Sequence, residues 1–178
     1  MTPARQQRKS ATPPSLLRRW ARPAVCRLGL AVALALALLC FPRVDAATTE
    51  RVVTDVMTGL AVHGIDPVAY FTDGTPLYGR PDQEARYAGV IWRFRNEGNK
   101  AAFIADPDIY MPRYGGYDPI GIGRAVAVPG NPLLWAMVGE RVYLFYNEEA
   151  RARFMANPNE AILHADNKWP TVVSGLVP

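Results

Sequence analysis

The chain has 178 residues, with 20 Lys and Arg against 16 Asp and Glu and a formal net charge of +4. Eight of the basic residues and one acidic residue precede residue 47, so residues 47–178 carry a net charge of −3. This balance excludes the basic stripe of a nucleic-acid-binding domain. Both cysteines, Cys26 and Cys40, also precede residue 47, which excludes a disulfide or a thiolate site in the remaining 132 residues.

Residues 1–46 are predicted to be a signal peptide. A basic segment precedes Leu28–Phe41, an uncharged apolar run of 14 residues. A membrane-spanning helix needs about 20 such residues, so the run is short for a span and typical of a signal sequence. Val44-Asp45-Ala46 predicts cleavage near Ala46 and a periplasmic or secreted protein without stable membrane insertion. An uncleaved N-terminal anchor is the alternative.

The mature part, residues 47–178, is predicted to form a single domain. Thr48–Val56 is short and β-branched, which predicts an edge strand. The densest pattern follows at residues 62–71, where Asp66 can accept bonds from free helical amides and Pro67 suits the first helical position. His63 lies just before this turn. A similar stretch follows at residues 114–119.

An internal repeat dominates the rest of the chain. Five positions recur 51 residues later: Trp92, Phe94, Asn96, Phe103 and Pro107 return as Tyr143, Phe145, Asn147, Phe154 and Pro158. Each copy predicts two strands around a short loop, then a helix capped by Asn and ended by Pro. We predict an α+β fold with a small antiparallel sheet and packed helices, from a duplicated strand–strand–helix unit. Chance similarity of two such segments is the alternative.

Details of the second copy are more specific. Gly139-Glu140 favours a type II′ turn between its strands. Val142, Leu144 and Tyr146 are apolar on the second strand face, which predicts a central strand. Trp169-Pro170 is expected to anchor the C-terminal segment on the core, and the residues after it are expected to fray.

Residues for nucleophilic catalysis are missing after residue 46. Ser174 is the only serine there, no cysteine remains, and the sequence has no nucleophile elbow. Gly121-x-Gly123 is a weak phosphate-loop signal without a following helix pattern or a nearby lysine. The sequence therefore predicts a protein that is not an enzyme.

Three residues could supply nitrogen and oxygen ligands to a metal ion: His63, Asp118 and His164. Their spacing matches no specific zinc or iron signature. Each has a structural alternative, because His63 can be a turn residue, Asp118 can cap a helix before Pro119, and His164 can lie on a helix surface.

An aromatic-rich set of residues supplies the candidates for a small-ligand site. Tyr70, Tyr114 and Tyr117 could line an apolar pocket, and Gly115 and Gly116 could let a ligand approach the backbone. The alternative is that the tyrosines form the core of a small domain.

Residues 63–71 and 114–117, with Trp92-Arg93-Phe94 and the run from Phe103 to Tyr110, resemble the YHS domain family. The resemblance covers roughly Gly59 to Pro170. It implies a small, non-catalytic binding module for a metal ion or a small ligand, with its site between the His63 turn and the loop from Tyr114 to Asp118.

One position departs from the family pattern. Asp118 stands where many members have a cysteine after Gly-Gly-Tyr. A carboxylate suits a divalent ion less thiophilic than Cu(I), so the resemblance implies such an ion as the cofactor. The alternative function is a structural or protein-interaction domain whose metal site has decayed. The expected partner is accordingly a small ligand or another protein.

Overall fold

The computed structural model describes residues 50–177, which lie in one compact unit, Ala47–Pro178. The predicted signal peptide falls outside the described residues. Among the residues that are described, no helix is both long and apolar enough to cross a membrane.

The chain forms an α+β fold, as predicted, with two separate two-stranded antiparallel sheets. The strands are β1 (Arg80–Tyr87), β2 (Val90–Phe94), β3 (Asn131–Val138) and β4 (Arg141–Phe145). The helices are α1 (Ala69–Thr72), α2 (Glu97–Ala105), α3 (Pro107–Tyr110), α4 (Pro119–Gly123), α5 (Glu148–Ala156) and α6 (Pro158–Ser174). Short 3₁₀ turns cover Val62–Gly64 and Arg113–Gly116.

The predicted duplication is visible in the two hairpins. Strand β1 pairs with β2, and β3 with β4, in the same register, and both pairs are irregular four residues into the first strand. Both residues of each loop have positive φ, at Ala88 (50°) and Gly89 (83°) and at Gly139 (57°) and Glu140 (56°). These angles define type I′ turns, so the type II′ prediction was wrong because Glu140 adopts the left-handed conformation.

The helices after the hairpins begin as predicted. The side chain of Asn96 accepts a hydrogen bond from the amide of Asn99 at 2.8 Å, and that of Asn147 accepts one from Ala150 at 2.8 Å. Pro107 and Pro158 end the capped helices and begin α3 and α6, since proline needs no donor at a first helical position.

The repeat also extends upstream of the hairpins. Each unit starts with a 3₁₀ turn that contains left-handed residues, at Val62–Gly64 and again 52 residues later. The amide of Asp66 then donates to Leu77, and that of Asp118 to Val128. The spacing is one residue shorter in the second unit, which is why the offset falls from 52 to 51. We call residues 62–110 repeat 1 and residues 114–174 repeat 2.

Each repeat has a phenylalanine at the centre of its core. The ring of Phe103 lies 5.0 Å from that of Trp92, and the ring of Phe154 lies 4.9 Å from that of Tyr143. Strand β4 joins the two cores, because Leu144 packs in the cluster of repeat 1 while Tyr143 packs in that of repeat 2. It is thus buried on both faces, as predicted, although Tyr146 beyond its end is exposed.

The two ends of the described chain meet. Residues 50–56 form isolated bridges rather than the predicted edge strand. The amide of Arg51 donates to the carbonyl of Val177 at 3.1 Å, and α6 continues through Pro170 to Ser174. Trp169 anchors this helix as predicted, but the tail does not fray at that point, because the N-terminal segment pairs with it.

Candidate functional site

The three predicted metal ligands are not assembled into one site. His63 is exposed in the first 3₁₀ turn, and His164 is exposed on α6, where Nε2 lies 3.9 Å from the carboxylate of Glu160. Asp118 is buried. Within residues 50–177, no group of three or more His, Cys, Asp or Glu side chains is placed to hold a metal ion. The surface positions of the histidines match the structural alternatives.

Asp118 is a helix cap. Its Oδ1 accepts a hydrogen bond from the amide of Ile120 at 2.8 Å, and its Oδ2 accepts one from the amide of Tyr146 at 2.9 Å. The first bond starts α4, and the second ties this turn to the end of β4. Asp118, which the sequence suggested as a metal ligand, therefore joins two elements of the backbone.

The three predicted pocket tyrosines are buried, and their hydroxyl groups bond within the protein. The hydroxyl of Tyr70 donates to the carbonyl of Pro132 at 2.7 Å, and that of Tyr117 to the carbonyl of Glu50 at 2.6 Å. The hydroxyl of Tyr114 donates to the carboxylate of Asp166 at 3.0 Å. Burial raises the pKa of Tyr70, and burial followed by the bond to Asp166 raises the pKa of Tyr114.

The two glycines make room for the protein's own chain. A Cβ atom at Gly115 would lie 2.0 Å from the carbonyl oxygen of Arg51. One at Gly116 would contact Val53, Val62 and Leu144 at 3.4 Å. The protein's own chain, from Arg51 onwards, therefore fills the space where a side chain at these two positions would lie. That these glycines admit a ligand to the backbone stays a prediction.

A cavity of about 410 Å³ lies next to these residues, and we call it the interrepeat cleft. Tyr114 and Gly115 form part of its wall. Ala88 of repeat 1 and Met111, which directly follows repeat 1, line one side, and Trp169 on α6 of repeat 2 lines another. The cleft therefore combines an apolar surface with the motif that the sequence singled out, and a small ligand would fit within its volume.

Three arginines surround the cleft: Arg51, Arg113 and Arg141. Arg113 forms an ion pair with Asp166 at 2.7 Å and lies 5.2 Å from the centre of the Tyr114 ring. Arg141 donates to the backbone carbonyl of Asp108. The side chain of Arg51 is exposed and has no hydrogen bond or ion pair with residues 50–177. Two guanidinium groups are thus positioned by the protein, and one is available to a ligand.

These arginines were not among the predicted site residues. Arg113 could have been found, because it directly precedes the Tyr114 motif. Arg51 and Arg141 lie far from it in sequence, and only the folded chain brings them to the same cavity.

Comparison of the chain with models of protein families, with curated proteins and with solved structures found no match.

Proposed function

We propose that this protein is an exported, non-catalytic binding module for a small ligand that has an apolar body and an anionic group. The observation that carries the proposal is the interrepeat cleft, which places three arginines around an apolar and aromatic surface. The YHS-like motif and the signal-like leader support the module type and the export, respectively.

The electrostatics of the cleft favour an anion. Three arginines line the cleft against one carboxylate, that of Asp108. Asp166 neutralises Arg113, so the group retains an excess of one positive charge. The Arg51 side chain has no hydrogen-bond or ion-pair partner in the described part of the chain. A carboxylate could form charge-assisted hydrogen bonds with a free guanidinium, which are roughly twice as strong as neutral ones.

The apolar wall favours a hydrocarbon or aromatic ligand body. Met111, Trp169 and Val173 line the cleft alongside Tyr114. Burial of a ligand against such side chains contributes about 25 cal/mol per Å² of apolar surface removed from water. A medium-chain carboxylate therefore combines the two features that the cleft recognises.

A protein-interaction domain is the second candidate, and one observation favours it. Val56 and Met57 are 78% and 88% exposed at the tip of the turn before repeat 1. The carboxylate of Asp55 holds this turn by accepting bonds from the amides of Met57 and Thr58. A fixed turn with two exposed apolar side chains suits a protein partner better than water.

Calorimetric titration of the full chain with octanoate tests the ligand proposal. We expect saturable binding that weakens about tenfold in Arg51→Gln, the effect of losing about 1.4 kcal/mol from a charge-assisted contact. Arg95→Gln is the matched control, because Arg95 is also exposed and its side chain has no partner among residues 50–177. Octanol and octylammonium should bind more weakly than octanoate. Absent octanoate binding, or equal loss in both variants, would reject the cleft as the site.

A further inference from the structure

The capping aspartates of the two repeats carry the same backbone contacts. Asp66 Oδ1 accepts from the amide of Val68 at 2.8 Å, as Asp118 Oδ1 does from Ile120. Asp66 Oδ2 accepts from the amide of Arg95 at 2.8 Å, which corresponds to the bond from Tyr146 to Asp118. The two carboxylates are therefore equivalent in position and in function within the fold.

The third contact differs between the repeats. The side-chain amide of Asn99 donates to Asp66 Oδ2 at 2.7 Å in repeat 1. The equivalent residue is Ala150, since both follow their Asn cap by three residues and donate their backbone amide to it. Alanine has no polar side-chain atom. Asp118 thus accepts two hydrogen bonds where Asp66 accepts three.

The missing contact is significant because Asp118 is only 3% exposed. A carboxylate can accept about four hydrogen bonds, and a buried charge is costly unless it is well bonded. Oδ2 of Asp118 retains accepting capacity on the side where repeat 1 has the Asn99 amide.

A cavity of about 310 Å³ is present at this place. Asp118, Tyr146 and Ala150 line it, together with Arg124 and the ion pair of Arg153 with Glu149. The two carboxylates and two guanidinium groups of the lining sum to no net charge. Arg124 is exposed and has no hydrogen bond or ion pair with residues 50–177.

We propose that this cavity binds the primary amide group of a small ligand, with the amide in the place that the Asn99 side chain fills in repeat 1. The ligand N–H donates to Asp118 Oδ2, and its carbonyl oxygen accepts from Arg124. An amide supplies both a donor and an acceptor without net charge, which matches a lining that is itself neutral. A carboxylate offers Asp118 no donor, and an ammonium ion offers Arg124 no acceptor.

This site is separate from the interrepeat cleft, and the proposal does not depend on the function assigned to that cleft. Acetamide is the appropriate probe, because it reproduces the end of an asparagine side chain. NMR titration of the ¹⁵N-labelled full chain should show saturable shifts at the backbone amides of Tyr146 and Ala150. Methylammonium and acetate of similar size should produce shifts at least about fivefold smaller at equal concentration, since each lacks one of the two contacts.

Ala150→Asn is the decisive variant, because its side chain would occupy the cavity and make the missing bond. We expect the acetamide response of Tyr146 to disappear in Ala150→Asn. An unchanged response in this variant would overturn the proposal, as would no saturable shift in the original protein or an equal response to acetate or methylammonium.

A second variant keeps the test valid even where Ala150→Asn perturbs the fold. Asn99→Ala removes the amide from repeat 1 and should create an acetamide site beside Asp66. The backbone amide of Arg95 should then shift on titration, which it should not do in the original protein. A response of Arg95 in both proteins, or in neither, would contradict the equivalence on which the proposal rests.

Discussion

Repeat 1 and repeat 2 have the same backbone conformation in their turns and hairpins, but the side chains at equivalent positions have different roles. The left-handed residue after Val62 is His63, which is exposed, whereas its equivalent is Gly115, which is covered by Arg51. Asn99, three positions after its Asn cap, donates a side-chain hydrogen bond to the capping Asp66 in repeat 1, whereas the equivalent residue in repeat 2 is Ala150. The Asp caps, the Asn caps and the core phenylalanines therefore maintain the fold in both repeats, while neighbouring positions are free to fill or open a cavity.

The two copies also continue differently. Helix α3 stops at Tyr110, while its equivalent α6 runs on to Ser174 and brings Trp169 against Tyr114 at 5.6 Å between ring centres. This extension supplies one wall of the interrepeat cleft. Repeat 2 therefore contributes to both candidate binding surfaces, although the capping aspartate of repeat 1 accepts one more hydrogen bond.

The largest expected effect on stability comes from removing a phenylalanine ring from the core of either repeat. Phe103→Ala and Phe154→Ala should each lower the free energy of unfolding by roughly 3–5 kcal/mol, because each removes a fully buried ring at the centre of its cluster. Ile104→Ala and Met155→Ala are matched controls at the adjacent positions, which are 59% and 50% exposed. Urea unfolding measures all four. A core variant that behaves like its control would place that helix face outside the core.

The second largest effect on stability is expected at the equivalent left-handed positions Gly115 and His63. Gly115→Ala should cost about 3 kcal/mol, because the new Cβ overlaps the Arg51 carbonyl at a positive φ. His63→Gly should change stability by less than about 1 kcal/mol, since His63 is exposed and glycine adopts this conformation freely. Thermal melts decide the comparison. Equal effects would mean that the N-terminal segment does not cover repeat 2.

The capping aspartates should differ by one hydrogen bond. Asp66→Ala and Asp118→Ala both leave buried amides without acceptors, but the first also leaves the Asn99 side chain without its partner. We expect Asp66→Ala to destabilise more, by roughly 1.5 kcal/mol, the contribution of a hydrogen bond to a charged group. Denaturant unfolding of both variants and of Asn99→Ala measures the difference. A larger loss in Asp118→Ala would contradict it.

Alkaline unfolding distinguishes the buried phenols. The pKa of Tyr70 and of Tyr114 is raised above the ordinary value of 10.0, so the folded state holds these protons more tightly. Their contribution to stability is complete below pH 10 and is lost as the pH rises beyond it, by up to about 1.4 kcal/mol per pH unit for each group. Tyr70→Phe and Tyr114→Phe should each flatten this decline in stability with pH, and an unchanged decline in either variant would contradict the assignment.

The elements of each repeat could be predicted from sequence because their signals are local. Asn96 and Asn147 cap helices, Pro107 ends one, and the aromatic spacing identifies the two phenylalanines at the core. These features depend on neighbours within a few residues. The role of Asp118 as a cap was also contained in the sequence, since Pro119 follows it.

The candidate sites could not be predicted because they depend on distant contacts. Arg51 covers Gly115 although the two residues are 64 positions apart, and no local sequence pattern predicts this contact. The left-handed conformation of Glu140 likewise overrides the usual preference for glycine in the turn. The contact that is missing beside Ala150 depends on the equivalence of Ala150 and Asn99, which the folded repeats establish.

The stability of Ala150→Asn tests most directly whether repeat 2 retains the geometry of repeat 1 with one contact left empty. The new amide should donate to Asp118 Oδ2 as Asn99 does to Asp66, and the free energy of unfolding should rise by about 1 kcal/mol. The same substitution in an Asp118→Ala background should give no such gain. Stabilisation that requires Asp118 is the predicted result, and destabilisation by Ala150→Asn in the original protein would contradict the account.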